Sequence, residues 1–190
     1  MSVGAIIAIV IAIIVIVAAG VLASRELRRR ALRQRFGTEY DRLVEEKGTR
    51  QAEAELAERQ RRLAGLNIRD LDMEQQAGYT RQWAVLQERF VDAPADAVRR
   101  ADELIIAVER TRGYPADDPD QALDALTVDH ARAVEGYRDA RIMTGRADEV
   151  STEQYRQALL RYRDLFISLV GSPDGIESTQ AAPAIAAPKE

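Results

Sequence analysis

The sequence predicts an all-α protein: an N-terminal transmembrane helix, a polar helical neck and a small soluble helical bundle. Three observations carry that expectation. Residues 4–23 are all Gly, Ala, Val, Ile or Leu. A cluster of six arginines follows at once. Beyond it apolar residues recur at helical spacing, and no run alternates with the period of two that marks a half-buried strand.

Twenty apolar residues rising about 1.5 Å each span about 30 Å, the thickness of a hydrocarbon core. Ile and Val are poor helix formers in water, but in lipid the backbone has no other hydrogen-bond partner. A cleaved signal peptide is the rival reading, because Val21-Leu22-Ala23 before Ser24 and Ala18-Ala19-Gly20 both resemble small-residue cleavage sites. Against it, no basic side chain precedes Gly4, and the apolar stretch exceeds the usual signal core. Gly4, Ala8 and Ala12 set a small residue at every fourth position, a stripe along which two spans can approach as a homodimer.

The arginines are Arg25, Arg28, Arg29, Arg30, Arg33 and Arg35. All lie C-terminal to the span, which orients the N-terminus outside and the C-terminal domain in the cytoplasm of a bacterial cell. Each attracts anionic headgroups by about 1 kcal/mol near the surface. The net charge of −4 therefore hides a division: residues 24–35 carry +5, residues 36–171 carry −7 and the remainder −2. A basic collar beside a span, followed by an acidic domain, points to a membrane surface and not to nucleic acid. There is no cysteine, which excludes disulfides and thiol chemistry. Arginine outnumbers lysine 25 to two, a bias expected of a GC-rich bacterial genome.

Four segments follow from these patterns: an anchor (1–24), a collar and neck (25–65), a bundle (66–171) and a disordered tail (172–190). In the neck, Gly37 and Thr38 break the collar helix, and Thr38-Glu39-Tyr40-Asp41 reads as the start of another. Residues 49–64 are polar nearly all round, with only Leu56 and Leu63 bulky, and predict a solvated helix. The bundle opens on Leu66, Ile68 and Leu71, then Asp72 and Gln75 form a capping pair. Tyr79, Trp83, Leu86 and Phe90 give one stripe; Val98, Ala101, Leu104, Ile105 and Val108 give the next, started at Pro94 and stopped by Gly113. Leu123 and Leu126 mark a short helix. Asp129 caps another, with Val134, Tyr137 and Ile142 inward. Ser151 and Gln154 cap the last, whose stripe is Tyr155, Leu159, Tyr162, Phe166 and Leu169. The tail has no amphipathic spacing.

Chemistry-bearing patterns are sparse. His130 is the lone histidine and is more simply a helix-start residue than a proton-transfer group. Asp117, Asp118 and Asp120 cluster without the spacing of a calcium loop, and capping accounts for Asp118. Trp83, Tyr79 and Phe90 read as core before they read as a ligand groove. Phosphate loops and nucleophile elbows are absent, so no catalytic, cofactor-binding or metal-binding residue is assigned. An enzyme built only of Asp, Glu and Arg stays open.

Several stretches together resemble a family of uncharacterised single-pass actinobacterial membrane proteins. They are Leu32-Arg33-Gln34-Arg35-Phe36-Gly37-Thr38-Glu39-Tyr40-Asp41-Arg42, Arg89-Phe90-Val91-Asp92, Arg112-Gly113-Tyr114-Pro115, Val128-Asp129-His130 and Tyr137-Arg138-Asp139-Ala140. The family often has proline after the Asp-His pair, where this chain has Ala131. The resemblance implies a membrane location and no activity. The expected role is a membrane-anchored, non-enzymatic interaction module, an adaptor or scaffold that binds a partner protein; the alternative is a ligand- or stress-responsive membrane sensor.

Overall fold

The computed structural model describes residues 3–145 and 150–171, and on the first helix the side chains of residues 15–17, 19–20, 22–24, 26–27 and from 29 onward. The expected tail lies outside the described residues, and so do the side chains of the Gly4, Ala8 and Ala12 stripe. Every regular element among the described residues is an α-helix.

Helix α1 (Val3–Phe36) runs for 34 residues, about 51 Å, through the apolar stretch and on through the basic one without a break. Among the described residues no helix is long and apolar enough to cross a membrane. The described side chains of α1 begin at Val15, so the first half of the apolar stretch is not among them. After a turn at Gly37, α2 (Thr38–Lys47) doubles back along α1, where Arg33 reaches Asp41 at 3.1 Å. Gly48 reverses the chain again at φ 79°, a left-handed conformation that costs a side chain but not glycine. Helix α3 (Thr49–Ala64) then descends, its first turn facing Leu22 and Glu26 of α1.

A four-helix bundle follows: α4 (Met73–Phe90), α5 (Pro94–Arg112), α6 (Pro119–Gly145) and α7 (Thr152–Val170). Capping boxes at Asp72/Gln75 and Ser151/Gln154 satisfy the first N–H groups of α4 and α7, as their sequence predicts. Apolar stripes close into a core of Trp83, Leu86, Ile105, Val108, Leu126, Val134, Tyr137, Tyr162, Leu165 and Phe166. Trp83 stacks on Phe166 with centroids 4.6 Å apart, and Tyr137 tilts against Tyr162 at 4.9 Å.

Three expectations give way. The neck is not solvated: Phe36, Tyr40, Leu43, Ala52 and Leu56 form a second core against Val128 of α6. The inner positions of α3 are Ala52, Leu56, Arg59 and Leu63, so the stripe contains one small and one charged residue and reads as polar. Thr38 does not cap α2; Gly37 takes that position, and the Thr38 hydroxyl donates instead to Glu135 Oε2 on α6 at 2.6 Å. The two helices expected on either side of Asp129 are present and meet without a loop at a kink at His130 (φ −125°, ψ 28°). Ile142 is exposed, because Ala140 and not Ile142 continues the inward face from Tyr137.

Candidate functional site

Three charged constellations concentrate the polar chemistry, two of them where α1 to α3 meet α6. The first is centred on Glu39, which stands three residues after Phe36 and four before Leu43. The four-residue step to Leu43 on α2 turns its side chain inward with that residue, and it is 5 % exposed. Its carboxylate accepts from Arg42 Nε and Nη2 at 3.0 and 2.8 Å, from Arg59 Nη1 at 2.7 Å and from Arg138 Nη1 at 3.0 Å. Burial pushes the carboxyl upward, but bonds from Arg42, Arg59 and Arg138 outweigh it and leave the pKa at about 2. Arg59, equally buried, also reaches Glu55 at 2.7 Å and Asp124 at 3.0 Å, while its Nε has no partner. Three helices are thereby tied by one charge network.

The second lies at the end of α1. Arg35 Nε donates to the Val128 carbonyl at 3.1 Å and Nη2 to Asp129 Oδ1 at 2.7 Å. A cleft of about 530 Å³ opens beside this clamp, lined in part by Thr38, His130, Glu135 and Asp164. Burial, reinforced by the Arg112 charge, holds the His130 imidazole below its ordinary pKa, with Asp129 pulling the other way.

The third, between α5 and α6, has no counterpart in the sequence reading. Glu109 is 4 % exposed, and its carboxylate makes neither a hydrogen bond nor an ion pair among the described residues. Burial, with the charge of Asp102, raises its pKa to about 7. Nearby the Tyr137 hydroxyl donates to Asp102 Oδ1 at 2.5 Å, and Arg141 Nε stands 3.7 Å from the same oxygen. Glu109, Tyr137 and Arg141 border a cavity of about 20 Å³, room for one water molecule.

The six collar arginines do not act as a uniform band. Arg30 pairs with Glu26 at 3.0 Å, Arg33 with Asp41, and Arg35 is clamped to α6. Arg29 lies beside the Tyr40 hydroxyl. The side chains of Arg25 and Arg28 lie outside the described residues. Asp118 accepts from the Gln121 backbone N–H at 3.1 Å, which makes it the cap that its position suggests, and Asp117 pairs with Arg110 at 3.0 Å. Trp83 is core, while the Tyr79 hydroxyl bonds the Thr111 hydroxyl at 2.6 Å. Among the described residues no group of three or more His, Asp or Glu is placed to hold a metal ion.

Fold and site together define a helical platform in which the last turn of the N-terminal helix is built into the core. No known family model matches the chain, and neither a curated protein nor a solved structure is significantly similar to it.

Proposed function

We propose that residues 4–23 anchor the chain in a bacterial membrane, N-terminus outside, and that the remainder is a non-enzymatic platform that presents a partner protein at the cytoplasmic surface. The observation that carries this reading is the continuity of α1. One helix leaves the apolar stretch and ends on Phe36, which is fully buried in the platform. Such an element fixes the platform's distance and orientation relative to whatever holds the apolar stretch. Val15, Ile16, Val17 and Leu22 are each between 58 and 69 % exposed, an apolar surface on several sides that stays open among the described residues. In water that exposure is unfavourable by roughly 25 cal/mol per Å²; in lipid it is not. The small-residue stripe supplies a route to a homodimer, and the placement agrees with the single-pass family that the sequence resembles.

A second reading, a membrane sensor, is favoured by one observation: the unpaired Glu109 carboxylate beside Asp102, Tyr137 and Arg141.

The absence of native cysteine makes topology directly measurable. Ser2→Cys and Asp174→Cys variants of the full chain are treated in intact cells with a membrane-impermeant maleimide. The expected result is labelling of Ser2→Cys in intact cells, and of Asp174→Cys only after lysis. Labelling of both in intact cells, or recovery of the protein in the soluble fraction without detergent, overturns the proposal.

A further inference from the structure

The α2–α3 reversal brings Thr49 and Arg50 back beside the end of the apolar stretch, and a groove of about 570 Å³ separates them from α1. Its lining is Leu22, Glu26 and Arg29 on one side and Thr49, Arg50 and Glu53 on the other. On α1 these residues form a depth scale. Glu26 lies about 6 Å and Arg29 about 10 Å beyond Leu22 along the helix axis. The headgroup layer outside a 30 Å hydrocarbon core is about 5–8 Å deep on each side. On the proposed topology the groove therefore runs through the headgroup layer to its outer edge, with its apolar end against the acyl chains.

The groove carries charges of both signs, and Arg50 makes neither a hydrogen bond nor an ion pair among the described residues. Arg29, Arg50 and Glu53 form no ion pair among the described residues, although most charged side chains nearby do. Arg50 and Glu53 are one helical turn apart yet do not pair with each other. Tyr40 holds the wall between them in place: its hydroxyl donates to Glu53 Oε1 at 3.3 Å and lies beside Arg29. Of the two carboxylates in the lining, Glu26 is already paired with Arg30, which leaves Glu53 with the two guanidiniums around one opening, a set complementary to a phosphodiester joined to an ammonium. That set is less well matched to a headgroup that carries negative charge alone.

We infer that this groove binds the zwitterionic phosphoethanolamine headgroup of a bilayer lipid. Arg29 and Arg50 take the phosphate, Glu53 takes the ammonium, and Leu22 meets the first methylenes of the acyl chains. The inference rests on the membrane reading of residues 4–23, and the experiment separates the two.

Full-length protein is extracted from membranes in mild detergent and offered an equimolar mixture of phosphatidylethanolamine, phosphatidylglycerol and phosphatidylcholine. Retained lipid is then read by native mass spectrometry. The expected result is retention of phosphatidylethanolamine over each competitor by roughly three- to fivefold, the scale of one exposed ion pair. Arg50→Gln should lower retention of all three lipids. Glu53→Gln keeps an acceptor for Tyr40 but should abolish the preference among lipids, without a change in melting temperature. Equal retention of the three lipids, a preference for phosphatidylglycerol, or a preference that survives Glu53→Gln overturns the headgroup assignment while leaving the anchor intact. A protein that needs no detergent to stay in solution overturns the anchor, and the headgroup site with it.

Discussion

Replacing Glu39 with glutamine tests whether a charge network, and not only apolar burial, holds the N-terminal layer to the bundle. The glutamine keeps the shape and removes the charge that four bonds from three arginines now meet. The magnitude can be worked in two ways. A carboxyl at about 2 in the folded protein, against 4.5 for the ordinary group, corresponds to about 3 kcal/mol of favourable interaction with the charged form. Removing one member of a buried ion pair costs about 3–5 kcal/mol in general. Arg59 keeps Glu55 at 2.7 Å and Asp124 at 3.0 Å, which places this case at the lower end. The expected loss is therefore about 3 kcal/mol, a drop of roughly 10 °C in Tm for a folded region of this size. The assay is thermal and urea unfolding of the full-length protein followed by circular dichroism, with Arg61→Gln as the control. Arg61 is 73 % exposed and pairs with the exposed Glu58, so its loss should cost under about 1 kcal/mol. A Glu39→Gln loss no larger than the control's would refute the reasoning and show the network to be solvated.

Other consequences can be checked with the same unfolding measurements. Glu109 has a raised carboxyl at about 7, so its contribution is fully present below pH 4.5 and is lost as pH rises to 7. The protein should be about 3 kcal/mol less stable at pH 8 than the Glu109→Gln variant's flat profile implies, and an unchanged profile in that variant would exclude Glu109 as the cause. Glu39 works in the opposite sense, its contribution present above pH 4.5 and lost as pH falls towards 2. Trp83→Ala should cost about 3–5 kcal/mol, whereas Trp83→Phe should cost less, because the indole N–H has no partner to lose. Gly113→Ala should destabilise by more than about 1 kcal/mol: Gly113 sits at φ 95°, and an added Cβ would lie 2.5 Å from the Asn67 carbonyl oxygen. A melt unchanged by that substitution would mean the 67–72 segment can move aside. Deleting residues 172–190 should leave partner capture intact in a pull-down, while deleting 66–171 should abolish it.

The four-helix bundle was legible because its inner faces are Leu, Ile, Val and aromatic residues at three- and four-residue intervals, bounded by readable caps at Asp72, Pro94, Gly113 and Ser151. The α1–α3 layer was not, because its inner faces are interrupted by charge. Glu39 lies beside Tyr40 and one turn before Leu43 on α2, and Arg59 between Leu56 and Leu63 on α3, each on its helix's inner face. Two opposite charges at matching places on facing stripes are a pairing signal, but hydrophobic periodicity scores both as errors. Glu109 hides for a related reason: it follows Ala101 and Ile105 at four-residue steps, and a glutamate there looks like the start of the solvated face. The bend at His130 was legible as a helix start at Asp129, but Val128-Asp129-His130-Ala131 contains neither glycine nor proline, so nothing in it told that the two helices meet without a loop.

The burial of Phe36 makes α1 a lever and the bundle its load. Transmembrane helices tilt to match bilayer thickness, by angles of about 20° on average. A flexible linker would dissipate that motion; here the last turn of α1 is clamped by Arg35 to Val128 and Asp129, and Thr38 is tied to Glu135. On the proposed topology a change of about 10° in tilt swings a point about 30 Å below the span through about 5 Å. Partners gripping the far end of the bundle would thus be carried along the membrane plane whenever the bilayer thickens or thins.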